Sequence, residues 1–157
     1  MTITRTLISL SLLALIAACG GPGDSADVPD AQPAGATSAD IGAHVVHFSA
    51  QSTDELPPEI AKAYNILRSK SRAMLNVSVI RKADKVPVAA DVKVKTVNLA
   101  GQLKNVSMRQ IKEQEAIYYI GETAVANEET LVFDITVMPD GEQQSSNVRF
   151  KRQFYTN

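Results

Sequence analysis

Few side chains in this sequence can carry chemistry. One cysteine, Cys19, and two histidines, His44 and His47, are the whole thiol and imidazole supply. A lone cysteine excludes an intramolecular disulfide and any multi-cysteine zinc or iron–sulfur centre. His44 and His47 stand three apart in a predicted strand, so their side chains point to opposite faces. They cannot grip one metal ion without an intervening bulge, and no third ligand is in sight, so no metal site is expected. The plain expectation is one exposed and one half-buried histidine. Asp134 and the pair Glu128-Glu129 are the candidates for carboxylate chemistry. Hydrolysis by paired carboxylates needs both groups to face one cleft, and nothing in the sequence places them so. There is no G-x-S-x-G, no H-E-x-x-H and no glycine loop of the kind that cradles phosphate. No catalytic residue and no cofactor are expected. The remaining candidate is the run Arg68-Ser69-Lys70-Ser71-Arg72, three cations in five residues. Arg68, Ser69, Lys70 and Arg72 form a candidate binding surface for an anionic glycan, a lipid headgroup or a partner's carboxylate. A helix ending just before them would favour those cations through its dipole. The competing reading is a solvated loop in which Arg68 caps the helix or pairs with Glu55 or Glu59.

Cys19 has a more specific setting. Arg5 precedes an apolar stretch from Leu7 to Ala18 that Ser9 and Ser11 interrupt. A short charged lead followed by about 7–15 apolar residues has the form of a secretory signal. The stretch falls short of the roughly 20 residues that cross a bilayer as a helix. It ends in Ile16-Ala17-Ala18-Cys19-Gly20, which resembles the lipobox of bacterial lipoproteins. That resemblance implies cleavage before Cys19, a diacylglycerol on its thiol and acylation of the new amino group. Several acyl chains anchor stably, since each buried methylene contributes about 0.8 kcal/mol. Gly20 occupies the position where an Asp would favour the inner membrane, which implies the outer membrane with the domain in the periplasm.

The elements that would position these residues begin after a tether. Residues 20–40 are almost wholly Gly, Pro, Ala, Asp, Ser and Thr, and cannot bury a core. Residues 19–40 are therefore expected to be an acylated, disordered tether and 41–157 a single domain. The whole chain of 157 residues is 45% hydrophobic and 21% charged, with a formal net charge of −1. That balance argues against a nucleic-acid partner, which would call for a strongly basic domain. No tryptophan and 5% aromatics leave little for a stacking platform. Within 41–157 alternation dominates. Leu131, Phe133, Ile135 and Val137 share one strand face, as do Val148, Phe150 and Phe154. Met138-Pro139-Asp140-Gly141 between them is turn chemistry, so the two form a hairpin. Further strands are predicted at 43–51, 74–81, 91–99, 105–112 and 116–121. The run 91–99 changes phase from Val92 and Val94 to Val97 and Leu99, which predicts a bulge. Tyr118 and Tyr119 fall on opposite faces, one of them in the core with its hydroxyl satisfied at an edge. After Pro57-Pro58, the spacing of Ile60, Ala63, Tyr64 and Leu67 predicts a short helix at 57–65. About seven antiparallel strands and one short helix after the first strand describe an all-β, immunoglobulin-like sandwich, with a small barrel as the alternative.

The chain also resembles domain-of-unknown-function family 4426, small exported bacterial proteins, over about 42–155. The resemblance rests on Gly42 with Val46-His47-Phe48, on Leu56-x-Pro58-Glu59-x-Ala61-x-Ala63-Tyr64 and Arg68-Ser69-Lys70, and on Asn76-Val77-Ser78-Val79. It continues through Asn98-Leu99-x-Gly101-Gln102, Ala116-Ile117-Tyr118-Tyr119, Asn127-Glu128-Glu129, Phe150 and Phe154-Tyr155. His44 departs from the aromatic expected there. The resemblance implies a fold and an exported location and assigns no activity. Together these features lead to the expectation of a lipid-anchored cell-envelope protein. Its partners would be the membrane, through Cys19, and an envelope protein or anionic envelope component. A non-enzymatic binding or assembly module is the first reading, and an envelope enzyme with an unrecognised site is the alternative.

Overall fold

The computed structural model describes Gln32 and residues 35–157. Cys19, the leader and most of the expected tether lie outside the described residues. In chain order the strands are β1 (Ser38–Ile41), β2 (His44–Ser52), β3 (Arg72–Arg81), β4 (Ala90–Asn98), β5 (Leu103–Lys104), β6 (Arg109–Glu113), β7 (Ala116–Ala124), β8 (Thr130–Pro139) and β9 (Ser146–Gln153). A 3-10 turn at Thr53–Glu55 and the helix α1 (Pro58–Ala63) connect β2 to β3. All strand pairs are antiparallel. They form a five-stranded sheet in the order β1-β2-β3-β7-β6 and a four-stranded sheet in the order β5-β4-β8-β9.

The period of two builds the sandwich. Val46, Phe48 and Ala50 of β2, and Leu75, Val77 and Val79 of β3, face Leu131, Phe133, Ile135 and Val137 of β8 and Val148 and Phe150 of β9 in one buried core. The Phe150 ring lies 4.6 Å from Phe48 and 4.9 Å from Phe133, which ties the two sheets together at the centre. The β8–β9 hairpin forms as its alternation predicts, with Phe133 opposite Phe150. Gly141, at φ 90°, takes the left-handed conformation in its turn.

The structure amends the sequence reading in four places. There are nine strands among the described residues, not seven. Of the expected strand at 105–112 only the second half forms, as β6, which pairs with β7; the short β5 lies ahead of that stretch and pairs with β4 in the other sheet. The crossing segment between them packs Val106 and Met108 against Gly121, where a Cβ would meet the Val106 side chain at 2.6 Å. Pairing also starts at Ser38, inside the stretch expected to be tether, where β1 closes on β2. The bulge in β4 does not occur. Its register on β8 runs unbroken from Ala90 to Asn98, with Thr96 facing the core and Leu99 72% exposed. Finally α1 ends at Ala63, because Asn65 takes φ 53° and turns the chain back. The helical face that is buried carries Ala61, while Leu67, assigned to the buried stripe, is 67% exposed.

Candidate functional site

Two of the strands in the five-stranded sheet are apolar on both faces. Beneath the core-facing Leu75 and Tyr119, β3 and β7 present Met74 and Ile120 to the outside, yet both are buried. They are covered by the β2–β3 connection. Leu56, Ala61 and Ile66 pack on them, with Tyr64 and Ile111 alongside, as a second small core. The helix can lie so close because Ala61 has almost no side chain to hold it off. The Arg109 guanidinium of β6 reaches across and donates to the Tyr64 carbonyl, fixing the end of α1 to the edge of the sheet.

This covering is incomplete. Beside α1 an open groove of about 350 Å³ runs over the outer face of the sheet. Ile60 and Tyr64 form one wall, Met74, Ile111, Tyr118 and Ile120 the apolar floor, and Ser49, Gln51 and Asn76 the polar side. Asn76 stands opposite Ile120 and Ser49 in the strand register. Its Oδ1 is buried and has no hydrogen-bond partner. Glu113 closes one end and is the one charged residue lining the groove among the described residues. Its carboxylate, beside the Tyr64 hydroxyl, raises the pKa of that hydroxyl, and partial burial adds to the effect. Ser49 and Asn76 continue into a polar hollow with Thr37, His47 and Ser78.

The basic run behaves differently from a free cationic patch. Thr53, fully buried at the end of β2, accepts a hydrogen bond from the Ser69 N–H at 2.9 Å, and its hydroxyl lies 2.8 Å from the Leu67 carbonyl. That hydroxyl holds the loop against the 3-10 turn. Arg68 donates to the Asp54 carbonyl at 2.6 Å, so it neither caps α1 nor pairs with Glu55 or Glu59. The Ser69 hydroxyl bonds that of Ser71 at 2.9 Å. Lys70 donates to the main-chain oxygen of Asn157 at 2.8 Å. Arg72 belongs to β3, not to the loop, and meets Glu122 of β7 at 3.3 Å. Each of these cations already has a partner within the chain.

The carboxylates also separate. Asp134 forms a two-pronged ion pair with Arg149 across the β8–β9 hairpin, its second contact 2.8 Å long. Glu129 lies at the other end of β8, with Lys104 at 2.8 Å and the Ala126 N–H at 2.9 Å. Asn98 donates to it at 2.9 Å, while the Asn98 Oδ1 accepts the N–H groups of Ala100 and Gln102. Burial alone would raise the Glu129 pKa, but Lys104, the Ala126 N–H and Asn98 outweigh it and hold the carboxyl below its usual range. His44 is buried, 3.7 Å from Glu142, and His47 is exposed on the other face of β2. Tyr119 is the core tyrosine, its hydroxyl accepting the Ala90 N–H and the Gln110 amide, both at 2.7 Å.

Asn76, Tyr64, Glu113 and Ile111 are not picked out as a site by sequence reasoning. The usable signal was apolar character on both phases of one strand: Met74 against Leu75, and Ile120 against Tyr119. Both faces of that sheet had to be covered.

No curated protein matches the chain. Its fold matches the crystal structure of a DUF4426 family protein from Pseudomonas aeruginosa PAO1, at 28% identity and a TM-score of 0.66, over 76% of this chain and 94% of that one. The profile described as domain of unknown function DUF4426 matches residues 38–157, from the first residue of β1 onward. The sandwich, its two-faced central strands and the segment they span thus belong together, and the chain is a member of the DUF4426 family.

Proposed function

We propose that this chain is a lipid-anchored binding module of the bacterial cell envelope, without catalytic function, and that it binds through the outer face of its five-stranded sheet. The leader-like residues 1–18 and the lipobox-like Ile16–Cys19 support the anchor. The observation that carries the binding face is the groove between α1 and β6. An unpartnered buried acceptor costs about 1–3 kcal/mol, which a ligand's donor could recover. Asn76 is placed beside such an opening, next to apolar side chains left partly uncovered. The basic run at 68–72 serves this reading indirectly, by fixing the return of the chain from α1 to β3.

A photo-crosslinking residue at position 60 tests this reading in intact cells. It should capture a specific envelope component, while the same residue at Lys95, exposed on the outer face of the other sheet, should not. Capture at 95 and none at 60 would move the binding face elsewhere.

A further inference from the structure

The occupant of the groove follows from its charge and its border. The wall and floor are aliphatic and phenolic, and the one charge in the lining belongs to Glu113 at the end. Asn76 adds an acceptor, and Tyr64 and Glu113 line the groove together. A carboxylate has about four acceptor positions, so Glu113 can take a further donor beside Tyr64. This arrangement fits an aliphatic stem that ends in an ammonium and repels one that ends in a carboxylate. The border is β6, an edge strand with no strand beyond it among the described residues. It contributes both Ile111 and Glu113 to the groove. An unpaired strand edge is a template for an added strand, with main-chain bonds giving affinity and alternate side chains giving specificity.

We propose that the partner is an extended peptide segment of an envelope protein that adds to the edge of β6 and lays a lysine side chain along the groove, with its stem on Ile111 and Ile120 and its ammonium at Glu113. The inference rests on the binding face proposed above and specifies its ligand. Side chains on one face of the added strand recur every second residue, so apolar residues at the positions next to the lysine face away from the groove.

Fluorescence anisotropy of dye-labelled pentapeptides against the purified full chain in detergent tests it. Three peptides carry lysine, norleucine or glutamate at the central position, and a fourth keeps the lysine but has alternate amides N-methylated. The lysine peptide should bind best, by about fivefold over norleucine, the range of a partly exposed ion pair. Glu113→Gln should abolish that preference while leaving the thermal midpoint in place, since Glu113 is exposed. The N-methylated peptide should bind worst, because it cannot donate to β6. Equal binding of lysine and norleucine peptides, or a lysine preference that survives Glu113→Gln, overturns the lysine assignment. Undiminished binding of the N-methylated peptide overturns strand addition. If no peptide binds although position 60 still crosslinks in cells, the peptide ligand falls and the binding face stands. If position 60 does not crosslink either, both fall.

Discussion

The Thr53 hydroxyl serves two segments of chain at once. It bonds the Ser69 N–H and lies within hydrogen-bond distance of the carbonyls of Leu67 and Ser69, with no exposure to water. Valine fills the same space without bonding either, so Thr53→Val should leave the Ser69 N–H unsatisfied. The expected loss is about 2 kcal/mol in denaturant unfolding. Arg68→Ala removes a bond on the surface and should cost under about 1 kcal/mol. Glu129 gives a pH-dependent counterpart. Its folded pKa lies below the unfolded one. Its contribution is therefore present in full above the unfolded carboxyl value and is lost as pH falls through the lower folded value. Glu129→Gln should destabilise the protein at neutral pH by about 2 kcal/mol, as charged hydrogen bonds do. It should also flatten the acid limb of a stability-versus-pH curve, measured by chemical unfolding between neutral and strongly acidic pH. The sequence made the presence of Glu129 plain and hid its role. Lys104 and Asn98 reach it from a different hairpin, and no local spacing predicts that meeting.

At the level of elements, the strands were legible wherever apolar residues held one phase. β8 did so throughout and β9 over Val148 and Phe150, and their pairing followed directly; the turn begins later than expected, since Met138 and Pro139 continue β8 against β4. β4 misled because Thr96 takes a core position opposite Phe133 while Val97 and Leu99 take outer ones. Read as hydrophobicity alone, that is a phase change; in the sheet it is one straight strand with a hydroxyl buried in it. The Thr96 Oγ1 has no hydrogen-bond partner. Thr96→Val should therefore stabilise the domain by about 1 kcal/mol, recovering desolvation without changing shape, and a raised thermal midpoint would show it. The helix was misread for a different reason. Its spacing fitted a full two turns, but the chain had to return under Thr53, and the left-handed Asn65 stops α1 after Ala63. The groove escaped sequence reading altogether, since its lining comes from β2, β3, β6, β7 and the α1 connection.

For the molecule as a whole, composition and alternation were sufficient for an all-β sandwich, and residues 38–157 carry the family. Among the described residues no helix is long and apolar enough to cross a membrane. In our proposal, attachment to the envelope rests on Cys19. Cys19→Ser should abolish incorporation of labelled fatty acid and release the protein from the membrane fraction. Labelled fatty acid retained by the variant would overturn the anchor.

The hairpin of β1 on β2 gives that attachment a mechanical side. Its turn lies at Gly42, and its open end carries the pair Ser38 with His47. Tension arriving ahead of Ser38 first meets the bond of the Gln32 N–H to the Arg149 carbonyl and that of the Phe48 N–H to the Thr37 carbonyl, and only then the four pairs of β1 on β2. Once those bonds part, release of the four residues of β1 would lengthen the proposed attachment by about 14 Å, at roughly 3.3–3.6 Å for each released residue. The rest of the sandwich would stay folded, with the first strand acting as a fuse.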